Sequence, residues 1–175
     1  MRKEIRLSGS GGQGLILAGV ILAEGAILSD LNAVQTQSYG PEARGGASKS
    51  EVILSNECIN FPKVIHSDIL ISLTQKSFDE YIKNSKENSI VIVDSSINTY
   101  NIENFTLYKV PILHTAKEVI KKPMAANIVT LGVISSIVDE VDKEKLKFAI
   151  VKRVPRGTED INILAFEEGT KLLNR

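Results

Sequence analysis

A single cysteine, Cys58, stands among 175 residues. That excludes an internal disulfide and a four-cysteine iron–sulfur site. Histidine is nearly as scarce, and His66 and His114 lie too far apart to match any metal-ligand spacing. Neither Cys58 nor His114 has a partner visible in the sequence that would make it catalytic. There is no tryptophan, and aromatics make up 5% of the chain. An excess of either charge is missing as well: Lys plus Arg and Asp plus Glu number 21 each, so no net field draws nucleic acid or an anionic membrane. The apolar stretch Leu15–Leu28 contains Glu24 and is too short to span a bilayer. The N-terminus starts almost directly on a strand, which predicts no signal peptide and a cytoplasmic protein. Ser/His/Asp arrangements and paired carboxylates are not discernible either. Whatever redox or metal chemistry surrounds this chain, it does not carry the usual groups itself.

What remains is an ordinary globule, 43% hydrophobic and 24% charged. A single domain over residues 1–175 is expected, large enough to bury roughly 70% of its unfolded surface. Lys3–Ser8 reads as a strand, and Gln13–Ser29 as a helix apolar nearly all round and therefore buried. Asn32–Thr36 and Lys49–Leu54 read as further strands, the latter a hairpin partner, with a glycine-rich loop over Gln37–Ala47 between them. Asp68–Leu73 and Ser89–Asp94 are continuous apolar runs, as in strands covered on both faces. Between them Thr74 caps a helix to about Asn84, with Phe78, Tyr81 and Ile82 inward. Phe105–Val110 is a strand stopped by Pro111. The last third is helical, with Met124, Ile128, Leu131, Ile134 and Val138 on one inward stripe and Leu146, Ala149 and Ile150 on a second. Ile161, Leu164, Ala165 and Leu172 form a third. The alternation predicts a three-layer α/β/α sandwich with a mostly parallel sheet, made mixed by the segment around Lys49. Functional loops gather beyond the carboxyl ends of such strands, here Gly9–Gly14, Gln37, Thr74 and Asp94–Ser96.

Two glycine clusters carry the candidate chemistry. The first, Ser8–Gly14, places Gly9, Gly11 and Gly14 in a G-x-G-x-x-G pattern between strand and helix, with Gly12 and Gln13 inside it. It bares N–H groups at a helix N-terminus, where four lack intrahelical partners and the dipole adds about half a positive charge. A phosphate, a carboxylate or another protein's backbone suits that corner. A dinucleotide site also needs an acidic residue at the end of the second strand. Gln35, Thr36 and Gln37 stand there, and no lysine follows the last glycine as a P-loop requires. A packing turn or subunit contact, an anion site lacking the acid, and an NAD site all stay open. The second cluster runs Tyr39-Gly40-Pro41-Glu42-Ala43-Arg44-Gly45-Gly46. Arg44 offers a fork of donors to a carboxylate or phosphate; a loop in which Glu42 and Arg44 merely pair is the alternative. Lys143–Arg156 holds six basic residues against Glu144 alone, either a solvated face or a contact with an acidic or phosphate-bearing partner. Lys121-Lys122 reads the same way.

These segments together resemble the gamma subunit of the 2-oxoacid:ferredoxin oxidoreductases. The resemblance rests on Ser8–Gly14 and Tyr39–Gly46, then Phe61-Pro62-Lys63 before Asp68-Ile69-Leu70-Ile71. Asn127-Ile128-Val129-Thr130-Leu131-Gly132, Val154-Pro155-Arg156-Gly157 and Asn162 complete it. It implies a complex that oxidatively decarboxylates a 2-oxoacid with coenzyme A (CoA) to acyl-CoA and CO2, reducing ferredoxin. It further implies thiamine diphosphate with Mg2+ and iron–sulfur clusters on alpha, beta and delta subunits, and no cofactor on this chain. The chain would be a non-catalytic partner bordering the CoA path, able to form a homodimer when isolated. The free-standing chain and its tyrosine loop look most similar to 2-oxoglutarate types; pyruvate, branched-chain and indolepyruvate types stay open. The opposing reading is a free-standing Rossmann-like dinucleotide- or nucleotide-binding protein.

Overall fold

The computed structural model describes residues 1–39, 47–100 and 102–173. Its strands are β1 (Arg2–Ser10), β2 (Asn32–Tyr39), β3 (Ala47–Ser55), β4 (Ser67–Ser72), β5 (Ser85–Asp94) and β6 (Thr106–Val110). They form one sheet in the order β2-β3-β1-β4-β5-β6. β1, β4, β5 and β6 run parallel, while β3 is antiparallel to both β1 and β2. The sheet is therefore mixed. All strands except β3 end on one edge, as a set of functional loops requires.

The helices are α1 (Leu15–Leu28), α2 (Gln75–Tyr81), α3 (Ile112–His114), α4 (Ala126–Ser135), α5 (Lys143–Arg153) and α6 (Glu159–Lys171). The two layers they form are unequal. Ile5, Leu7, Val52, Ile69, Ile71 and Ile92 face a thick layer built of α1, α4, α5 and α6. Leu70, Val91 and Val93 face a thin one, in which α2 supplies Phe78 and the turn after it Ile82. Burial on both faces is why β4 and β5 read as unbroken apolar runs. The apolar girth of α1 has the same kind of cause. Its Gly19 lies against Ser50 of the sheet and its Gly25 against Leu146 of α5, so the helix has protein on two sides.

Several boundaries differ from the expectation. β2 runs on to Tyr39 and β3 begins at Ala47, so part of the expected loop is strand; ladder pairing of Gln37 with Ser50 carries the polar residues along. The helix over 74–84 tightens to a 3-10 turn at Ile82–Asn84. Met124 and Leu164, expected inward, are 71% and 46% exposed. Met124 lies in a 3-10 turn, Pro123–Ala125, before the helical phase of α4 begins. Leu164 points away because α6 meets α4 through Gly132 and Gly169, which turns Ala165 and Phe166 inward. A short α3, continued by a wider π turn over Thr115–Val119, was not foreseen.

One buried charge ties the thin layer together. Arg6 is 1% exposed. Its Nε meets Glu51 Oε1 at 2.7 Å, and its terminal nitrogens donate to the Asn84 and Val64 carbonyls at 3.1 Å each.

Candidate functional site

The corner after β1 is shaped from inside by two amides. Ser10 N–H donates to Gln13 Oε1 at 2.8 Å, so the glutamine side chain folds back across the turn it belongs to. That side chain fills the space a methyl on Gly9 would need. Gly12 and Gly14 take φ of 86° and 71°, in the left-handed region that side chains resist. Gly14 caps α1 with no side-chain hydrogen bond and no acidic residue follows in the first turn. Ala18 N–H is the first to bond back, to Gly14 O at 3.0 Å. The N–H groups of Leu15, Ile16 and Leu17 precede that bond, so among the described residues no capping side chain or first-turn acid offsets the positive helix end.

Asn127 reaches the corner from α4. Its Nδ2 donates to Gly14 O at 3.3 Å while its Oδ1 accepts from Ile128 N–H at 2.9 Å. α4 itself starts at Ala125 without a side-chain cap or an acidic first turn. The uncapped N-terminus of α1 therefore meets that of α4, where the Ala125, Ala126 and Ile128 N–H groups are taken by the Lys122 and Pro123 carbonyls and Asn127 Oδ1. Beside them lies a cavity of about 320 Å3 lined by Gly14, Lys122, Met124, Asn127, Pro155 and Asn162, among others. Asn127 was legible as a family residue but not as a clasp. A lone amide in the apolar run Ala125–Val133 is the signal, because a buried polar group has to find a partner.

The remaining edge loops divide in use. Thr74 caps α2, its Oγ1 accepting from Ser77 N–H at 3.4 Å. Asp94, 3% exposed, is consumed in closing its own turn: Oδ1 accepts from Ser96 N–H and Oγ–H, and Oδ2 from Leu113 N–H. Gln37 is exposed. Gly11 and Gly12 are exposed too, and among the described residues no atom lies within 4 Å of where a Cβ would sit on either.

Of the second cluster, Glu42, Arg44, Gly45 and Gly46 lie outside the described residues, and only the backbone of Tyr39 is placed. Where the chain leaves and returns is clear. Tyr39 pairs with Ser48, and Ala47 pairs with Ser10. Both glycine motifs thus spring from adjacent strands at one edge. Tyr81 O–H reaches the Ala47 carbonyl at 3.5 Å, and burial, then Glu80, pushes that phenol far above its usual range, keeping it a donor.

The basic segment is largely spent internally. Lys152 and Arg153 both bind Glu24, Lys145 lies 3.6 Å from Asp30, and Lys147 bridges Glu144 and Glu167. That favours the solvated face over a contact with an acidic partner. Cys58 is exposed. Among the described residues no His, Cys, Asp and Glu gather in a group that could hold a metal, and no helix is long and apolar enough to cross a membrane.

The topology departs from a dinucleotide fold at the decisive point. There the second strand lies parallel and adjacent to the first, bringing its terminal acid to the ribose. Here antiparallel β3 intervenes between β1 and β2.

Residues 4–172 match the family described as "Pyruvate ferredoxin/flavodoxin oxidoreductase". The 2-oxoglutarate synthase subunit KorC of Methanocaldococcus jannaschii is 54% identical over 97% of this chain and 92% of that protein. The keto/oxoacid ferredoxin oxidoreductase gamma subunit of Geobacter sulfurreducens is 42% identical and superposes with a TM-score of 0.90, covering 98% of this chain and 96% of that one. The 2-oxoglutarate:ferredoxin oxidoreductase of Magnetococcus marinus, solved with 2-oxoglutarate, coenzyme A and succinyl-CoA bound, shares the fold at TM-score 0.89 and 22% identity. There the match covers 98% of this chain but 31% of the longer one. The chain belongs to the pyruvate ferredoxin/flavodoxin oxidoreductase family, as a gamma-type subunit of a 2-oxoacid:ferredoxin oxidoreductase.

Proposed function

We propose that this chain is the gamma subunit of a cytoplasmic 2-oxoglutarate:ferredoxin oxidoreductase and works there as a single domain. The complex would decarboxylate 2-oxoglutarate oxidatively with coenzyme A, giving succinyl-CoA and CO2 and passing the electrons to ferredoxin. The observation carrying the choice of oxoacid is the 54% identity to a 2-oxoglutarate synthase subunit along nearly the whole chain. Thiamine diphosphate, Mg2+ and the iron–sulfur clusters belong, in this reading, to alpha, beta and delta subunits.

The chain's own part is to dock and to border the CoA path. Gly9, Gly11, Gly12, Gln13 and Gly14 form a corner that another backbone or an anion can approach closely. The uncapped N-terminus of α1 favours a negative group there. Tyr39, Glu42, Arg44, Gly45 and Gly46 leave from the neighbouring strand ends, and Arg44 would supply a guanidinium for a phosphate or carboxylate.

Purification of the tagged chain from its native cell tests the assembly. Thiamine-containing alpha and beta subunits should accompany it, and the assembled material should oxidise 2-oxoglutarate faster than pyruvate or branched-chain oxoacids, with no turnover by the chain alone. Recovery of the chain by itself, together with micromolar binding of NAD, NADP or FAD by calorimetry, would replace this reading with a free-standing nucleotide-binding protein. Arg44→Ala that assembles normally and leaves the KM for coenzyme A unchanged would remove the CoA path from it.

A further inference from the structure

The sheet edge opposite the glycine corner carries a cleft that the proposed function does not use. β4 pairs Ser67 with Ser85 but Ile69 with Ile90. Lys86–Ser89 therefore bulge out of the ladder, and Asn88 turns the chain with a φ of 61°. Bulges of this kind end pairing and re-aim side chains. This one opens a cavity of about 350 Å3, lined by Arg2, Lys3, Asp68, Lys86, Glu87 and Ser89 over an apolar floor that includes Ile69 and Ile137. Ser89 is 6% exposed, and its Oγ has no hydrogen-bond partner. Such a hydroxyl asks for an acceptor.

Donor arithmetic indicates what kind. Both Asp68 oxygens are engaged, Oδ1 by Lys86 Nζ at 2.7 Å and Oδ2 by Glu4 N–H at 2.8 Å. Lys3 gives a hydrogen to Glu140 at 2.6 Å. Arg2 gives one from Nε to Glu4 and one from a terminal nitrogen to the Phe61 carbonyl. An ammonium carries three N–H groups and a guanidinium five. Lys3, Lys86 and Arg2 thus retain hydrogens to donate, and Ser89 adds another. Glu4, Glu140 and Asp68 each pair with one of these cations, and Glu87, exposed at the rim, is a further carboxylate. Surplus donors over an apolar floor fit a ligand rich in acceptors.

We propose that this cleft binds a small oxyanion, a carboxylate or a phosphate, on Ser89 Oγ, Lys86 Nζ and the free N–H groups of Lys3 and Arg2. A short carbon skeleton would lie over Ile69 and Ile137. Ser89 Oγ is shut off from solvent, so an oxyanion reaches it only when the exposed Glu87 and Asn88 side chains move aside.

Calorimetric titration of the full chain with inorganic phosphate and, separately, with succinate tests this site. Saturable binding of one molecule per chain is expected, and the tighter of the two probes identifies the source of the oxyanion. Ser89→Ala and Lys86→Gln, checked for folding by their melting temperatures, should each weaken that binding about tenfold, as loss of a hydrogen bond to a charged group does. Lys117→Gln, exposed and outside both the cleft and the glycine corner, should leave it unchanged. Failure of both probes to bind more tightly than about 10 mM, or wild-type affinity in Ser89→Ala, overturns the site. Either failure leaves the assignment to the oxidoreductase untouched, because that reading makes no use of these residues.

Discussion

Replacing Gly11 by valine separates a glycine needed by a partner from one needed by the fold. Gly11 is exposed at the outer bend of the corner, and among the described residues no atom lies within 4 Å of where its Cβ would be. Unlike Gly12 and Gly14, it does not take a positive φ. A valine there costs the isolated chain no more than an ordinary surface change, about 0.5 kcal/mol. For a chain of this size that moves Tm by about 1–2 °C. If the corner docks as proposed, the same side chain would occupy space that the partner's backbone requires. Overpacking of that kind costs about 1–3 kcal/mol, which weakens association about 5- to 150-fold. Thermal unfolding of the isolated variant, paired with titration of that variant against gamma-depleted complex, reads both quantities. Wild-type affinity would refute the docking role of the corner. A fall in Tm of more than about 5 °C would show instead that Gly11 serves the local fold.

The other predictions concern the scaffold. Gly132→Ala should destabilise the chain by about 1–3 kcal/mol in urea unfolding, because the new methyl would overlap the Phe166 carbonyl oxygen and force α4 and α6 apart; an unchanged midpoint would mean that the helix pair gives way freely. Arg6→Ala should cost about 3–5 kcal/mol in the same assay, since it strands Glu51 beside Lys49 alone and orphans the Val64 and Asn84 carbonyls; a loss below about 1 kcal/mol would show that water replaces the guanidinium. Burial opposes ionisation of Glu24, but the hydrogen bonds from Lys152 and Arg153 outweigh it and hold the carboxyl below its ordinary 4.5. A depressed folded value gives stability that is complete above the unfolded value and lost as pH falls through the folded one. Melting curves of Glu24→Gln should therefore converge with wild type as pH drops below about 4.5, and parallel curves across that range would contradict the pairing.

Much of the architecture was legible because each element carries its own period. The unbroken runs of β4 and β5, the Thr74 cap and the all-round apolar α1 each follow from residues within one segment. The glycine corner was legible for the same reason: strand, turn and helix start are contiguous. Misreadings arose where the deciding contact came from another segment. Met124 fits the helical stripe of α4, yet the turn at Pro123 precedes that helix and leaves the side chain outside. The basic run Lys143–Arg156 left a solvated face and a contact both open, and the acids that favour the solvated face, Glu24 and Glu167, come from other helices. Ser89 gave no signal at all, since its missing partner reflects the β4–β5 register and not its own neighbours.

From its own order the chain determined the alternation of strands and helices, the bareness of the α1 N-terminus and the absence of metal-binding cysteines, because these depend on residues adjacent in sequence. Only the folded arrangement decided that β3 would separate β1 from β2, that both glycine motifs would start from one edge, and that Asn127 would close on Gly14. Strand order and helix crossing are set by burial summed over distant segments, and no local stretch of the sequence encodes that sum.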